Sequence, residues 1–177
     1  MKKIEKILKK KNKSKIVCLT AYSKNFASEI DKYADITLVG DSLGSVLYNY
    51  SSTRKVTLNE MINHSKSVRL GVKKSLMVVD MPFKTYDTNI SALNNAKKII
   101  KETKCDAVKL EGGEKIIKQI RFLIRNKIQV MGHLGLLPQT TKGKFRSKGK
   151  TIKERNNFLV MLYCFRMREF FQLFWNV

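Results

Sequence analysis

Residues 75–113 read SLMVVDMPFKTYDTNISALNNAKKIIKETKCDAVKLEGG, and they hold one complete repeat of the fold. The run SLMVVDMP (75–82) is short and apolar without clean alternation, and so is DAVKLEGG (106–113). Such runs are how strands buried on both faces of a parallel sheet read. Between them Ile90, Leu93, Ala96, Ile99 and Ile100 recur at helical spacing. Strand, helix, strand in that order is a βαβ unit.

The same grammar extends in both directions. Further runs are KIVCLTAY (15–22), ADITLVGDS (34–42) and IQVMGHLG (128–135). Helical patterns lie between, one marked by Phe26, Ala27 and Ile30 and one by Ile116, Ile117, Ile120, Leu123 and Ile124. Another opens at Thr57-Leu58-Asn59-Glu60, the spacing of a capping box, and continues through Met61, Ile62, Ser65 and Val68. Five strand–helix units predict an α/β protein with a parallel sheet. A doubly wound sheet and a (β/α)8 barrel both share this pattern, and five units are too few to close a barrel.

Polar residues gather at one end of these strands. Asp41 and Ser42 follow the second, Asp80 ends the third, Lys109 and Glu111 lie two apart on the fourth, and His133 ends the fifth. Residues two apart on a strand share a face, and the C-terminal strand ends form the binding face of parallel α/β folds. Taken singly, each has a plain reading as a turn former, a loop histidine or a structural ion pair. Together, Asp41, Asp80 and Glu111 make an oxygen-rich set that favours Mg2+ over zinc.

Composition narrows the class. The chain has 177 residues and a formal net charge of +22, from 36 Lys+Arg against 14 Asp+Glu. That charge invites a nucleic-acid or anionic-membrane reading. The lysines are nevertheless dispersed and no aromatic stripe interleaves with them, so we expect no specific nucleic-acid partner. The basic N-terminus, KKIEKILKKKNKSK, carries Ile4, Ile7 and Leu8 at helical spacing and reads as a solvated amphipathic helix. Three cysteines, Cys18, Cys105 and Cys164, lack metal spacing, which fits free thiols in a reducing cytoplasm. No apolar window is long enough to span a bilayer, and no membrane partner is expected.

At these residues the chain resembles the 3-methyl-2-oxobutanoate (ketopantoate) hydroxymethyltransferase family. The matching segments are LTAY (19–22), LVGDSLG (38–44), VTLNEMINHSKSVRLG (56–71), VVDMPF (78–83), DAVKLEGG (106–113) and VMGHLGLLPQ (130–139). The resemblance implies a (β/α)8 TIM-type barrel of the phosphoenolpyruvate/isocitrate-lyase type, here incomplete. It implies hydroxymethyl transfer from 5,10-methylenetetrahydrofolate to 3-methyl-2-oxobutanoate through a magnesium-bound enolate, within pantothenate and coenzyme A biosynthesis. It assigns the metal to Asp41, Asp80 and Glu111, and the 2-oxo acid to Asp41, Ser42, Asp80, Lys109 and His133. The implied partners are the 2-oxo acid, folate and further copies of the chain. Another Mg2+-dependent 2-oxo-acid lyase on the same barrel, or a non-catalytic basic protein, is the alternative.

The resemblance runs to about Lys150 and then stops. Residues 1–150 read as the N-terminal part of one barrel. Residues 151–177 hold 7 of the chain's 16 aromatics and no Gly or Pro, and they read as an aberrant, out-of-frame tail. In that tail Leu159, Leu162, Phe165, Phe170 and Leu173 could also line a terminal helix. No counterpart of the family's general-base glutamate is expected, and neither Glu154 nor Glu169 is assigned that role. The expectation is weak metal binding and slow or absent turnover.

Overall fold

The apolar runs become five short strands, β1 Cys18–Thr20, β2 Ile36–Val39, β3 Leu76–Asp80, β4 Ala107–Glu111 and β5 Val130–His133. The computed structural model describes residues 2–10, 12–141, 150–156 and 174–175. Each strand is shorter than its apolar run, because the flanking residues belong to the turns. A sixth, β6 Phe174–Trp175, pairs in parallel with β5 at Gly132 and His133. The helix considered for residues 159–173 lies outside the described residues. The helices are α1 Lys2–Lys10, α2 Lys24–Ile30, α3 Leu43–Tyr48, α4 Leu58–Gly71, α5 Asn89–Thr103 and α6 Ile117–Arg125. Thr57 caps α4 as its spacing predicts, accepting from Glu60 N while the Glu60 carboxylate accepts from Thr57 N. Helix α3 carries no sequence signal of its own and was not expected.

Strand order separates the two architectures that the sequence left open. The sheet runs β1-β2-β3-β4-β5-β6, and every neighbouring pair is parallel. A doubly wound sheet reverses its order at a switch point, whereas a barrel adds each strand to the same edge. The architecture is therefore part of a (β/α)8 barrel.

The two faces of the sheet have different partners. Val39, Met77, Val79, Val108, Leu110 and Val130 pack outward against Ala27, Met61, Val68, Ala96, Ile99, Ile120 and Leu123 of the helices. Ile36, Leu38, Leu76, Val78, Ala107 and Met131 form a separate cluster on the barrel-interior side. Close helix packing depends on Gly71, where a Cβ would lie 2.4 Å from the Lys24 carbonyl oxygen at the start of α2.

Helix α1 departs from the expectation of a solvated helix. Its apolar edge covers the interior cluster, with Ile4 and Ile7 both buried there. Its lysines tie it to the N-terminal side of the sheet. Lys10 Nζ lies 2.5 Å from Asp35 Oδ1, and Lys3 Nζ lies 2.8 Å from the Ser75 carbonyl and 3.3 Å from Asp106 Oδ2. Part of the N-terminal charge thus serves the fold.

Asp31, just after α2, is a second brace that the sequence did not announce. Its carboxylate accepts from the backbone N–H groups of Lys73, Lys74 and Ser75 and from the Ser75 hydroxyl. Burial works against its charge, but these donors outweigh burial and hold its pKa down at about 2. A carboxylate with a lowered folded-state pKa stabilises the fold above its unfolded value, and that stability goes as pH falls through the folded value. The shift corresponds to about 2 kcal/mol at neutral pH. In urea melts Asp31→Ala is expected to lose at least that much at about pH 7, with the gap narrowing between about pH 4 and pH 2.

Candidate functional site

Period two along the strands puts the polar residues on the interior side, beyond the apolar cluster. Asp80 follows Leu76 and Val78, Lys109 and Glu111 follow Ala107, and His133 follows Met131. Register then pairs Asp80 with Lys109 and Glu111 with His133. Asp41 stands in the turn after β2, where its backbone N–H donates to Asp80 Oδ2 at 3.1 Å. All five are buried, with Asp80 only 3% exposed. Ser42 lies at the edge of the group, exposed, with its hydroxyl 2.7 Å from that of Tyr22. A Cβ on Gly40 would lie 2.9 Å from Ser42 Oγ and 3.7 Å from Asp80 Oδ2, so both border the small space this glycine leaves.

The rim is short of positive charge. Lys109 Nζ lies 2.9 Å from Asp80 Oδ1, one ammonium among three carboxylates. Burial works against the charged form of Lys109, but Asp80, Asp41 and Glu111 outweigh it and hold its pKa above the ordinary value. Asp41 shows the deficit from the other side. Burial first, and then the Asp80 charge, push its carboxyl up to about 7, against the pull of Lys109 and Gln139. Among the described residues both ring nitrogens of His133 are buried without a hydrogen-bond partner, and Nδ1 lies 3.4 Å from Glu111 Oε2. Polar ring atoms buried this deep without partners are costly unless a ligand uses them.

Gln139 is the residue that sequence reasoning missed. It appears in the sequence only as the last letter of a matching segment, after a proline in a turn. In the fold it is 3% exposed and joins three strand ends. Its Nε2 donates to Asp41 Oδ2 at 2.7 Å and to the Met81 carbonyl at 3.1 Å. Its Oε1 accepts from the Tyr86 hydroxyl, and its backbone N–H donates to Glu111 Oε1 at 2.7 Å.

The three carboxylates expected to hold a metal, Asp41, Asp80 and Glu111, share this buried rim. Among the described residues no three His, Cys, Asp or Glu side chains are arranged to hold an ion. Glu111 Oε1 accepts from the N–H groups of both Gln139 and Thr140. Among the described residues Asp80 Oδ1 has no hydrogen bond beyond its ion pair with Lys109. Adjacent carboxylates suit Mg2+, which is usually held by one or two carboxylates and keeps its other positions for water or substrate.

The sequence pattern of a family described as ketopantoate hydroxymethyltransferase matches residues 1–163. The chain belongs to this family. A 3-methyl-2-oxobutanoate hydroxymethyltransferase of Pelagibacter ubique is 66% identical over 158 residues, covering 89% of this chain. The chain spans 61% of that relative's length. Among solved structures, 2,3-dimethylmalate lyase, a member of the PEP mutase/isocitrate lyase superfamily, aligns with a TM-score of 0.53 at 12% identity. That alignment covers 74% of this chain and 52% of the lyase. Phosphonopyruvate hydrolase in complex with oxalate and Mg2+ aligns with a TM-score of 0.56 at 7% identity, over 73% of this chain and 52% of its own. These likenesses agree with the (β/α)8-barrel architecture that the strand order shows. Among the described residues no helix is long and apolar enough to cross a membrane.

Proposed function

We propose that this chain carries the substrate-polarising part of a hydroxymethyltransferase that acts on 3-methyl-2-oxobutanoate, with 5,10-methylenetetrahydrofolate as the one-carbon donor. The observation that carries the reading is the buried rim of Asp41, Asp80 and Lys109 in a member of this family. Asp41 and Asp80, with Glu111 beside them, would hold Mg2+, and the Mg2+ of the phosphonopyruvate hydrolase complex gives that choice of ion a precedent on the same fold. When bound, Mg2+ supplies Lewis-acid polarisation of a 2-oxo acid's carboxylate and keto oxygens.

The chain's own residues do the rest. Lys109, kept charged by its three acidic neighbours, places a fixed positive charge where negative charge would develop on the keto oxygen. Ser42 and His133 offer hydrogen-bond donors at the edge and the depth of the rim. Burial of the group excludes water and strengthens each of these interactions. Asp80, Lys109 and His133 sit on strand ends, which hold polar atoms more firmly than loops would.

Calorimetric titration with 3-methyl-2-oxobutanoate tests the reading. Saturable binding that requires Mg2+, and that weakens at least about tenfold in Asp80→Asn, is expected. Binding indifferent to Mg2+, or equal in the variant, would sink it.

A further inference from the structure

We propose that Gln139 is a positioning residue that holds the Asp41 carboxylate in a single orientation at the rim. The orientation of its amide is determined by its neighbours. The Asp41 carboxylate and the Met81 carbonyl can only accept, so both require the amide nitrogen, and they receive it at 2.7 and 3.1 Å. The amide oxygen then faces the Tyr86 hydroxyl, whose one proton it shares with the Glu111 carbonyl at 2.9 Å. A flipped amide would set its oxygen against a carboxylate in a buried site and leave two acceptors without a donor.

The backbone of Gln139 is as constrained as its side chain. Its N–H is bound to Glu111 Oε1 at the end of β4, and the turn closes on itself through Thr141 N to the Leu137 carbonyl at 2.8 Å. The residue therefore measures the gap between the ends of β2 and β4, and Asp41 is held from a position 98 residues away in sequence. Among the described residues, the hydrogen bond to the Asp41 carboxylate comes from Gln139. Without it, this carboxylate, buried beside Asp80 and Glu111, turns toward other partners.

The functional consequence rests on the reading of Asp41 as a cation-holding residue, while the positional claim stands on the hydrogen bonds alone. Two measurements on the purified chain separate them. Three-bond couplings at Asp41 read its χ1 rotamer without any metal, and paramagnetic resonance of free Mn2+ reads cation affinity. Gln139→Met, similar in length but unable to donate, is expected to convert one Asp41 rotamer into an average. Its Mn2+ affinity is expected to fall about tenfold, the usual scale for losing a partner of a ligating group. Tyr86→Phe, which removes the anchor of the amide oxygen, is expected to shift both readouts the same way by less. A single retained Asp41 rotamer in Gln139→Met overturns the inference, as does unchanged Mn2+ affinity in a folded variant. If Gln139→Met does not fold, unaltered couplings in Tyr86→Phe overturn it. A parent chain that binds no Mn2+ refutes the cation reading, and the couplings then decide the positional claim by themselves.

Discussion

Lys109→Met is expected to destabilise the chain by about 3–5 kcal/mol, the scale on which one partner of a buried ion pair is lost. That is a large share of the roughly 5–15 kcal/mol that holds an ordinary domain together. The size follows from what the substitution leaves behind. Methionine fills most of the volume, so the cost is not a cavity. Asp80 and Asp41 are left buried beside Glu111 with no cation to answer them. Two comparisons distinguish this cause from poor packing. Adding Asp80→Asn to Lys109→Met is expected to recover at least about half of the loss, because it removes the orphaned charge. Mg2+ is expected to stabilise Lys109→Met more than the parent, since an ion between Asp41 and Asp80 takes over part of the neutralisation. Urea melts of the three chains with and without Mg2+ read both effects. A loss of less than about 1 kcal/mol in Lys109→Met would refute the charge argument.

How much of this was legible in the sequence depends on how local each signal is. The strands were visible because burial on both faces leaves contiguous Val, Ile and Leu, as in Leu76–Asp80 and Ala107–Glu111. The shared side of Lys109 and Glu111 followed from period two alone, and their position at the rim from the direction of parallel strands. Strand order was not legible, since a strand carries no mark of which neighbour it will take. The hydrogen bonding of Glu111 was hidden for a related reason. Spacing puts Glu111 at the rim but does not reveal that the turn at Gln139 and Thr140 will saturate its Oε1. Gln139 and Asp31 were missed because their partners lie far away in the chain. A lone glutamine after a proline and a lone aspartate after a helix look like ordinary turn residues until the fold delivers their donors and acceptors. The Asp31 brace reaches 44 residues to Ser75, and no periodicity spans that distance.

Substituting both Ile4 and Ile7 of α1 by Asp is expected to cost more than any single change on the helical face of the sheet. Those two side chains lie over Ile36, Leu38, Leu76, Val78, Ala107 and Met131, six apolar residues on the barrel-interior side. Fully burying an isoleucine contributes about 1.5–3 kcal/mol, so losing two removes roughly 3–6 kcal/mol before the cost of carboxylates in an apolar setting is added. The double variant is expected to bind a hydrophobic dye, to elute as aggregates, and to melt at much lower urea. Charge changes on the same helix should behave differently. Lys3→Ala and Lys10→Ala each break a partly exposed ion pair, for which about 1 kcal/mol or less is expected. If the helix were only a solvated basic arm, the order would reverse. The isoleucine variant would then be nearly neutral, and the lysine variants would weaken a salt-dependent attachment to nucleic acid. Retained stability in Ile4→Asp/Ile7→Asp would therefore overturn the role of α1 as the cover of the barrel floor. Its loss would give the N-terminal lysines a structural reason to be where they are, flanking an apolar edge that the barrel cannot leave open.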